Sequence, residues 1–318
     1  MRTGSGDRWC CAGGCELRAV GKARLLRPCR GDLGGGWDCE MGPGYHGLRD
    51  AQSGVAPPLP AWLHAGVPLG RKARVAVSSG MTSQPYLAVP VPKPPIRIGC
   101  YESGPYGTNG YVLELEGHGG CLVFDPSFDP DELIEAVKQS GKTPEAILLT
   151  HAHLDHIAGV DAVLDAFGDL PIAVHRAEGH WLQDAKANLS MAAGMPVTCR
   201  KGPTRLLEDG DTVEFGSGSS RITLEVLHVP GHSPGSVAYV LRPSAAVPLA
   251  APVVIGGDAL FAGSIGRTDF PGGSMEELAR SIRTKLYTLP DETRVLPGHG
   301  PMTRIGQEKR CNMFVKGQ

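Results

Sequence analysis

The chain has 318 residues, of which 41% are hydrophobic and 20% charged, and its formal net charge is −2. This length suits one large α/β domain with appendages, or two domains of ordinary size. No stretch approaches the roughly 18 consecutive apolar residues that a spanning helix needs. The most apolar stretch, 245–255, is interrupted by two prolines. The composition therefore excludes a membrane-spanning protein.

The charge is distributed unevenly along the chain. Residues 1–95 carry 12 basic and 6 acidic side chains, whereas residues 96–318 carry 19 basic and 27 acidic ones, a net charge of −8. A nucleic-acid binder typically presents a dense basic face. We therefore expect no nucleic-acid partner.

Residues 1–95 have no sustained hydrophobic period and contain clusters of glycine and proline, which predicts a disordered or low-complexity extension. Five of the nine cysteines fall in the first 40 residues, but they lack the paired C-x-x-C knuckles of a zinc ribbon. The cysteine pattern is no disulfide framework and fits a reducing, cytoplasmic compartment. The arginines of the extension leave organellar targeting open. Translation could also begin at Met81, because everything recognisable follows it.

From residue 96 onward a single domain, 96–318, is predicted. Strands and helices alternate loosely, without the strict rhythm of a doubly wound sheet. Apolar runs predict strands at 110–116, 120–124, 146–150, 171–174, 212–215, 222–229, 236–241, 253–255 and 294–296. Helices are predicted at 129–139, 156–167 and 274–288, the last with a capping box formed by Ser274 and Glu277.

The strongest chemical signal directly follows the predicted buried strand at 146–150. The segment T-H-A-H-L-D-H places four potential metal ligands within six residues: His151, His153, Asp155 and His156. If the chain is still extended at this point, its period of two puts the first two imidazoles on one side. The turn into the next helix then directs the other two side chains toward a second position.

Three later segments share one design, in which a short apolar strand and a glycine-containing turn precede a side chain that can bind metal. These side chains are His232, Asp258 and His299. Five histidines and two aspartates exceed the needs of one tetrahedral ion, but they suit two ions that share a carboxylate. The partition expected is His151, His153 and His232 on one ion, with Asp155, His156 and His299 on the other. Asp258 would bridge them. This donor set favours zinc, iron or manganese, and zinc is the first expectation.

The order H-x-H-x-D-H, G-H-S-P-G-S, G-D and P-G-H resembles the metallo-β-lactamase superfamily over roughly residues 97–318. The resemblance implies an αββα sandwich, a four-layer α/β fold, with a metal cleft at one edge. The segment 258–271, D-A-L-F-A-G-S-I-G-R-T-D-F-P, looks like that of short, single-domain glyoxalase II, or hydroxyacylglutathione hydrolase, and the ending at 304–310 is similar too. Persulfide dioxygenases share its G-R-T-D-F portion. Antibiotic-hydrolysing relatives usually lack a histidine at the position of His156 or use a cysteine ligand, so a β-lactamase is not expected.

The resemblance implies a thioester hydrolase that cleaves S-2-hydroxyacylglutathione, such as S-lactoylglutathione. A metal-bridging hydroxide would attack the thioester, with Asp155 and Asp258 as catalytic residues. Arg267 lies where these enzymes place a basic residue against a glutathione carboxylate, although an ion pair with Asp269 or Asp258 is an equal alternative. The chain stops 19 residues after His299, without the C-terminal helical domain that holds glutathione in longer enzymes.

Three alternatives remain open. The first is a persulfide dioxygenase of the same fold, whose single iron would bind His151, His232 and Asp258. The second is a nuclease, which the acidic charge disfavours. The third is a non-catalytic binding module, which the complete ligand set disfavours. Among the lone histidines, His228 is a candidate to support His232 through a hydrogen bond.

Overall fold

The computed structural model describes residues 24–25, 96–218, 221–244 and 248–317. Nearly all of the predictions for residues 1–95, including the disordered extension, its cysteines and the alternative start at Met81, lie outside this range. Within residues 1–95 the structure describes a two-residue strand, β1 (Arg24–Leu25), which pairs antiparallel with β2 (Ile96–Ser103). Within the described residues, none of the helices combines the length and apolarity that crossing a bilayer requires.

The first sheet has seven strands in sequence order. Strands β1 to β4 are antiparallel neighbours, and β4 to β7 pair in parallel. The strands after β1 are β2 (Ile96–Ser103), β3 (Thr108–Leu115), β4 (Gly120–Phe124), β5 (Thr143–Leu148), β6 (Ile172–His175) and β7 (Arg205–Leu207).

The second sheet has six strands in the order β15-β14-β11-β10-β9-β8. All neighbours are antiparallel except β11 and β14. Its strands are β8 (Thr212–Phe215), β9 (Ile222–His228), β10 (Val237–Leu241), β11 (Val253–Gly257), β14 (Arg294–Pro297) and β15 (Thr303–Arg304). A small hairpin joins β12 (Leu260–Phe261) to β13 (Ser264–Ile265).

The helices cover the outer faces of the two sheets. They are α1 (Asp131–Ser140), α2 (Leu154–Ile157), α3 (Val160–Phe167), a 3₁₀ helix (Arg176–Gln183), α4 (Met275–Ser281), a π-helical turn (Ile282–Leu286) and α5 (Ile305–Cys311). Helices α1 and α3 pack on the first sheet, and α4 and α5 pack on the second.

Three layers of apolar side chains hold these elements together, because the central strands are buried on both faces. In β4, Phe124 points into the layer between the sheets and Val123 into the layer beneath α1 and α3. In β10, Tyr239 points between the sheets and Val240 toward α4. This period of two produces the αββα sandwich that the sequence predicts.

Two predicted helices are interrupted. The predicted helix 156–167 divides into α2 and α3, because the backbone N–H of Gly159 donates to Pro126 (2.8 Å) across the chain. The predicted helix 274–288 continues past Ser281 as a π turn. Its cap is half of the expected box: Ser274 Oγ accepts from the Glu277 N–H at 3.2 Å, while the Glu277 carboxylate faces Arg280. Strand β14 is not the last strand, since β15 follows it.

Candidate metal centre

The ends of strands from both sheets meet at one edge of the sandwich. His151 to His156 follow β5 of the first sheet. His232 lies in the turn between β9 and β10, Asp258 directly follows β11, and His299 comes two residues after β14. Apolar strands therefore fix the backbone on either side of the cleft.

The first group of donors is formed by His151, His153 and His232. The Nε2 atoms of His151 and His232 are 3.2 Å apart, and Nδ1 of His153 is 2.9 Å from Nε2 of His232. All three side chains are buried. One ligand atom from each lies within 4.8 Å of the others, so the three can face a common position.

Hydrogen bonds to neighbouring oxygens determine which ring nitrogen of His151 and of His232 faces the cleft. Nδ1 of His232 donates to the carbonyl of Arg267 (2.8 Å). Nδ1 of His151 lies 3.1 Å from Thr150 Oγ1, whose own proton goes to Asp125 (2.7 Å). The Nε2 lone pairs of His151 and His232 are therefore directed at each other across 3.2 Å, an arrangement that a cation between them would stabilise.

The second group is formed by Asp155, His156 and His299. Oδ2 of Asp155 lies 3.5 Å from Nε2 of His156 and 3.2 Å from Nε2 of His299. Thr108 Oγ1 donates to the same oxygen at 2.9 Å. Nδ1 of His299 donates to the carbonyl of Tyr106 (3.1 Å), which turns Nε2 inward.

Asp258 lies between the two groups. Its Oδ1 is 3.5 Å from Nε2 of His156. Its Oδ2 is 3.5 Å from Nε2 of His232 and 3.4 Å from Nε2 of His299. A single carboxylate thus faces both clusters.

Glycine makes this close packing possible. A Cβ at Gly298 would lie 2.1 Å from Oδ1 of Asp258 and 2.8 Å from Cε1 of His156. The glycine before His299 is therefore needed for space, whereas the sequence suggests only a turn.

Unpartnered polar atoms test whether the site fits cations. Within the part of the chain that is described, few buried side-chain polar atoms lack a hydrogen-bond partner, and two of them, Nε2 of His156 and Oδ1 of Asp258, are ligand atoms of this cluster that lie 3.5 Å apart. Leaving buried polar groups unpaired costs free energy. The donor set and these atoms fit divalent cations.

The two groups differ in how they bind protons. Burial, together with the neighbouring imidazoles, lowers the pKa of His151 well below its usual value and that of His153 to about 3. Burial alone would also lower the pKa of His299, but hydrogen bonds with Asp155 and Asp258 raise it to about 10. Burial would raise the pKa of Asp155, but His156 and His299 lower it to about 2. The first group therefore presents neutral imidazoles, and the second holds protons against carboxylates.

Arg267, predicted to anchor a substrate carboxylate, is engaged with Asp269. Its Nε and a terminal nitrogen donate to the two carboxylate oxygens at 2.8 and 2.7 Å, and both side chains are largely exposed. The guanidinium also lies 4.0 Å above the ring of Phe270, which packs edge-on against His153. The alternative ion pair from the sequence is thus formed with Asp269.

His228 supports the loop of His232 rather than its ring. The Nε2 atom of His228 lies 2.8 Å from the carbonyl of Pro234, and its ring stacks on that of His175 at 4.0 Å. The ring nitrogen Nδ1 of His232 is satisfied by Arg267 instead.

Sequence reasoning missed Asp125, which hydrogen-bonds both to His156 of the second group and to Thr150, the residue before His151 of the first group. Its Oδ2 accepts from Nδ1 of His156 (3.1 Å), and its Oδ1 accepts from the backbone N–H of Thr150 (2.8 Å). The signal was available, because Asp125 directly follows the predicted strand 120–124 and repeats the design of a polar side chain at a strand end.

Glu178 was also missed as part of the site, and Asn109, whose position resembles one near the cleft of relatives, was given no role. Both are buried, and each binds backbone groups next to predicted ligands. Their partners lie far away in sequence, so no local pattern marks them.

The family model of the metallo-beta-lactamase superfamily matches residues 103–299. The chain belongs to this superfamily. "Probable metallo-hydrolase YqgX" of Bacillus subtilis is 44% identical over 67% of this chain and 95% of that protein. "Hydroxyacylglutathione hydrolase GloC" of Haemophilus influenzae is 33% identical over 62% of this chain and 88% of that protein. The chain is thus a metallo-hydrolase by family.

Solved structures agree on the fold. The "BLEG-1 B3 metallo-beta-lactamase" is 43% identical, with a TM-score of 0.62 over 69% of this chain and 100% of that one. "TTHA1623 in a di-iron-bound form" is 39% identical, with a TM-score of 0.57 over 68% of this chain and 99% of that one. The fold implies divalent metal ions.

Proposed function

We propose that this chain is a metal-dependent thioester hydrolase that cleaves S-2-hydroxyacylglutathione, such as S-lactoylglutathione, to a 2-hydroxy acid and glutathione. The observation that carries the proposal is the convergence of five imidazoles and two carboxylates in three overlapping groups. The similarity to GloC, which is named as a hydroxyacylglutathione hydrolase, supports this substrate class.

Two divalent cations, with zinc first, would be held by His151, His153 and His232 and by Asp155, His156 and His299. Asp258 would contribute to both. When bound, such a pair supplies Lewis-acid polarisation of a carbonyl and lowers the pKa of a bound water toward roughly 7. Imidazole and carboxylate donors suit zinc, iron and manganese.

The protein's own catalytic residues would be the two carboxylates. The low pKa of Asp155, about 2, keeps it ionised at neutral pH, so it can accept a hydrogen bond from an attacking water and orient it. Thr108 holds one oxygen of that carboxylate in place. Thiolate is a good leaving group, so the reaction needs no strong general acid beside it.

Arg267 is the proposed anchor for a glutathione carboxylate. Because Asp269 now occupies its guanidinium, an anionic substrate would have to share or displace that pair. The exposure of both side chains makes the exchange inexpensive, since surface ion pairs contribute about 0–1 kcal/mol.

Two other activities are testable rivals. β-Lactam hydrolysis is favoured by the 43% identity to BLEG-1, which is described as a B3 metallo-beta-lactamase. A mononuclear-iron persulfide dioxygenase would use only His151, His232 and Asp258, and would leave His153, Asp155, His156 and His299 without a function.

The deciding experiment measures three reactions on one metal-loaded sample: hydrolysis of S-lactoylglutathione, hydrolysis of a chromogenic cephalosporin, and oxygen uptake with glutathione persulfide. We expect thioester turnover to exceed cephalosporin turnover, without oxygen uptake. Oxygen uptake with one iron per chain would overturn the proposal. So would cephalosporin turnover with no thioester turnover.

A further inference from the structure

The first group of donors is assembled from two loops that belong to different sheets. His151 and His153 follow β5 of the first sheet, and His232 lies in the β9–β10 turn of the second. The strands of the two sheets share no hydrogen-bonded edge. A backbone hydrogen bond from the Val237 N–H to the Thr150 carbonyl (2.8 Å) joins the bases of the two loops, and a side-chain contact can connect them further along. Glu178 makes such a contact.

The carboxylate of Glu178 binds one backbone N–H from each loop. Its Oε2 accepts from Ala152, which lies between the two histidines of the first loop, at 2.6 Å. Its Oε1 accepts from Gly235, three residues after His232, also at 2.6 Å. These two hydrogen bonds span the cleft between the loops, and the Glu178 side chain is fully buried.

The surroundings of Glu178 are shaped for this contact. A Cβ at position 235 would lie 2.7 Å from Cγ of Glu178, so the approach requires the glycine found there. The 3₁₀ helix that carries Glu178 also supplies Trp181, whose ring stacks on His153 with centroids 5.8 Å apart. Side chains of this one short helix thus contact both loops.

We propose that Glu178 is a positioning residue that sets the distance between the two loops, and thereby the affinity of the first group for its cation. The inference rests on the metal-dependent function proposed above. Outer partners of metal ligands typically change metal affinity about 10- to 100-fold when they are mutated. We expect a loss of that size, confined to the first group.

Asn109 offers a matched control on the second group. Its Nδ2 donates to the carbonyls of Pro297 (3.0 Å) and Gly300 (2.9 Å), which bracket His299. Glu178→Gln and Asn109→Asp are both isosteric exchanges of one oxygen and one NH₂. Glu178→Gln places an amide NH₂ opposite a backbone N–H. Asn109→Asp places a carboxylate oxygen opposite backbone carbonyls. Glu178→Gln therefore opposes one backbone N–H and removes a negative charge, whereas Asn109→Asp opposes both carbonyls and adds a negative charge; neither changes the volume.

The test is a zinc titration of the metal-free full-length proteins against a competing chelator. His153→Ala and His299→Ala identify which binding step belongs to which group. We expect Glu178→Gln to weaken the first-group step about 10- to 100-fold and to leave the second-group step nearly unchanged. Asn109→Asp should do the reverse. A folded Glu178→Gln protein that binds zinc like the wild type, or loses both steps equally, overturns the inference.

A second variant covers the case in which Glu178→Gln does not fold. Gly235→Ala moves only one loop away from the carboxylate, and Gly119→Ala is its control, because a methyl there meets no atom within 4 Å. An unchanged first-group step in Gly235→Ala overturns the inference. Wild-type protein that binds no zinc at all would instead overturn the metal-dependent function, so the two failures are distinguishable.

Discussion

The difference in protonation between the two groups of donors predicts opposite pH behaviour for the two metal-binding steps. His299 has a pKa raised to about 10 and His153 one lowered to about 3. At pH 6–8 a cation must therefore displace a proton from His299 to enter the second group. The first group is already neutral, so its cation displaces none.

The magnitude follows from the pKa of His299. A pH of 7 is about three units below the His299 pKa of about 10. Releasing the proton at this pH therefore costs roughly 4 kcal/mol. The affinity of the second group should rise about tenfold per pH unit between pH 6 and 8. Asp155, Asp258 and Asp125 raise the pKa of His156 well above its usual value against the effect of burial. A second proton released from it would make the slope steeper still.

The assay is chelator-competition titration with zinc at pH 6, 7 and 8, with proton release followed in the same samples. The second-group step should show the slope, and His299→Gln should reduce it. The first-group step should be flat over this range, since every imidazole in it has a lowered pKa. Equal slopes for the two steps would refute the reasoning.

Three further predictions concern single side chains. Asp258→Asn should weaken both zinc-binding steps at least tenfold, because its carboxylate faces both groups; selective loss of one step would argue against a bridging position. Gly298→Ala should abolish the second-group step in zinc titration, since its methyl would lie 2.1 Å from Asp258, and wild-type affinity would contradict the packing argument. Arg267→Ala should raise KM for S-lactoylglutathione about tenfold, because this is the effect of losing one charge-assisted hydrogen bond. KM for an uncharged thioester should stay unchanged. A parallel rise for both substrates would exclude carboxylate recognition.

The strand-end positions of the predicted ligands could be read from the sequence because each is a local pattern. A buried apolar run fixes the backbone, and the residue after it must lie at the sheet edge. Asp258 after β11 and His299 after β14 follow this rule. The partition of the seven ligands into two groups stays a prediction. Both predicted trios have ligand atoms close together, but so do His151, His156 and Asp258, which cross the partition.

The residues that hold those ligands could not be read in the same way. Glu178 and its partner Gly235 are 57 positions apart, and Asn109 is 188 positions from Pro297. Such contacts depend on how the two sheets pack, and no local period encodes this. The break between α2 and α3 has the same origin, because Gly159 bonds to Pro126 rather than within a helix.

The ion pair of Arg267 illustrates a second limit. The sequence offered a substrate anchor and a salt bridge as equal alternatives. In the structure the side chain forms the salt bridge with Asp269.

The central claim is that two cations share this cleft. Anomalous diffraction from crystals of the metal-loaded protein tests it most directly. The account predicts two peaks, one among His151, His153 and His232 and the other among Asp155, His156 and His299, with Asp258 next to both. A single peak at full metal loading, or peaks elsewhere in the molecule, would contradict it.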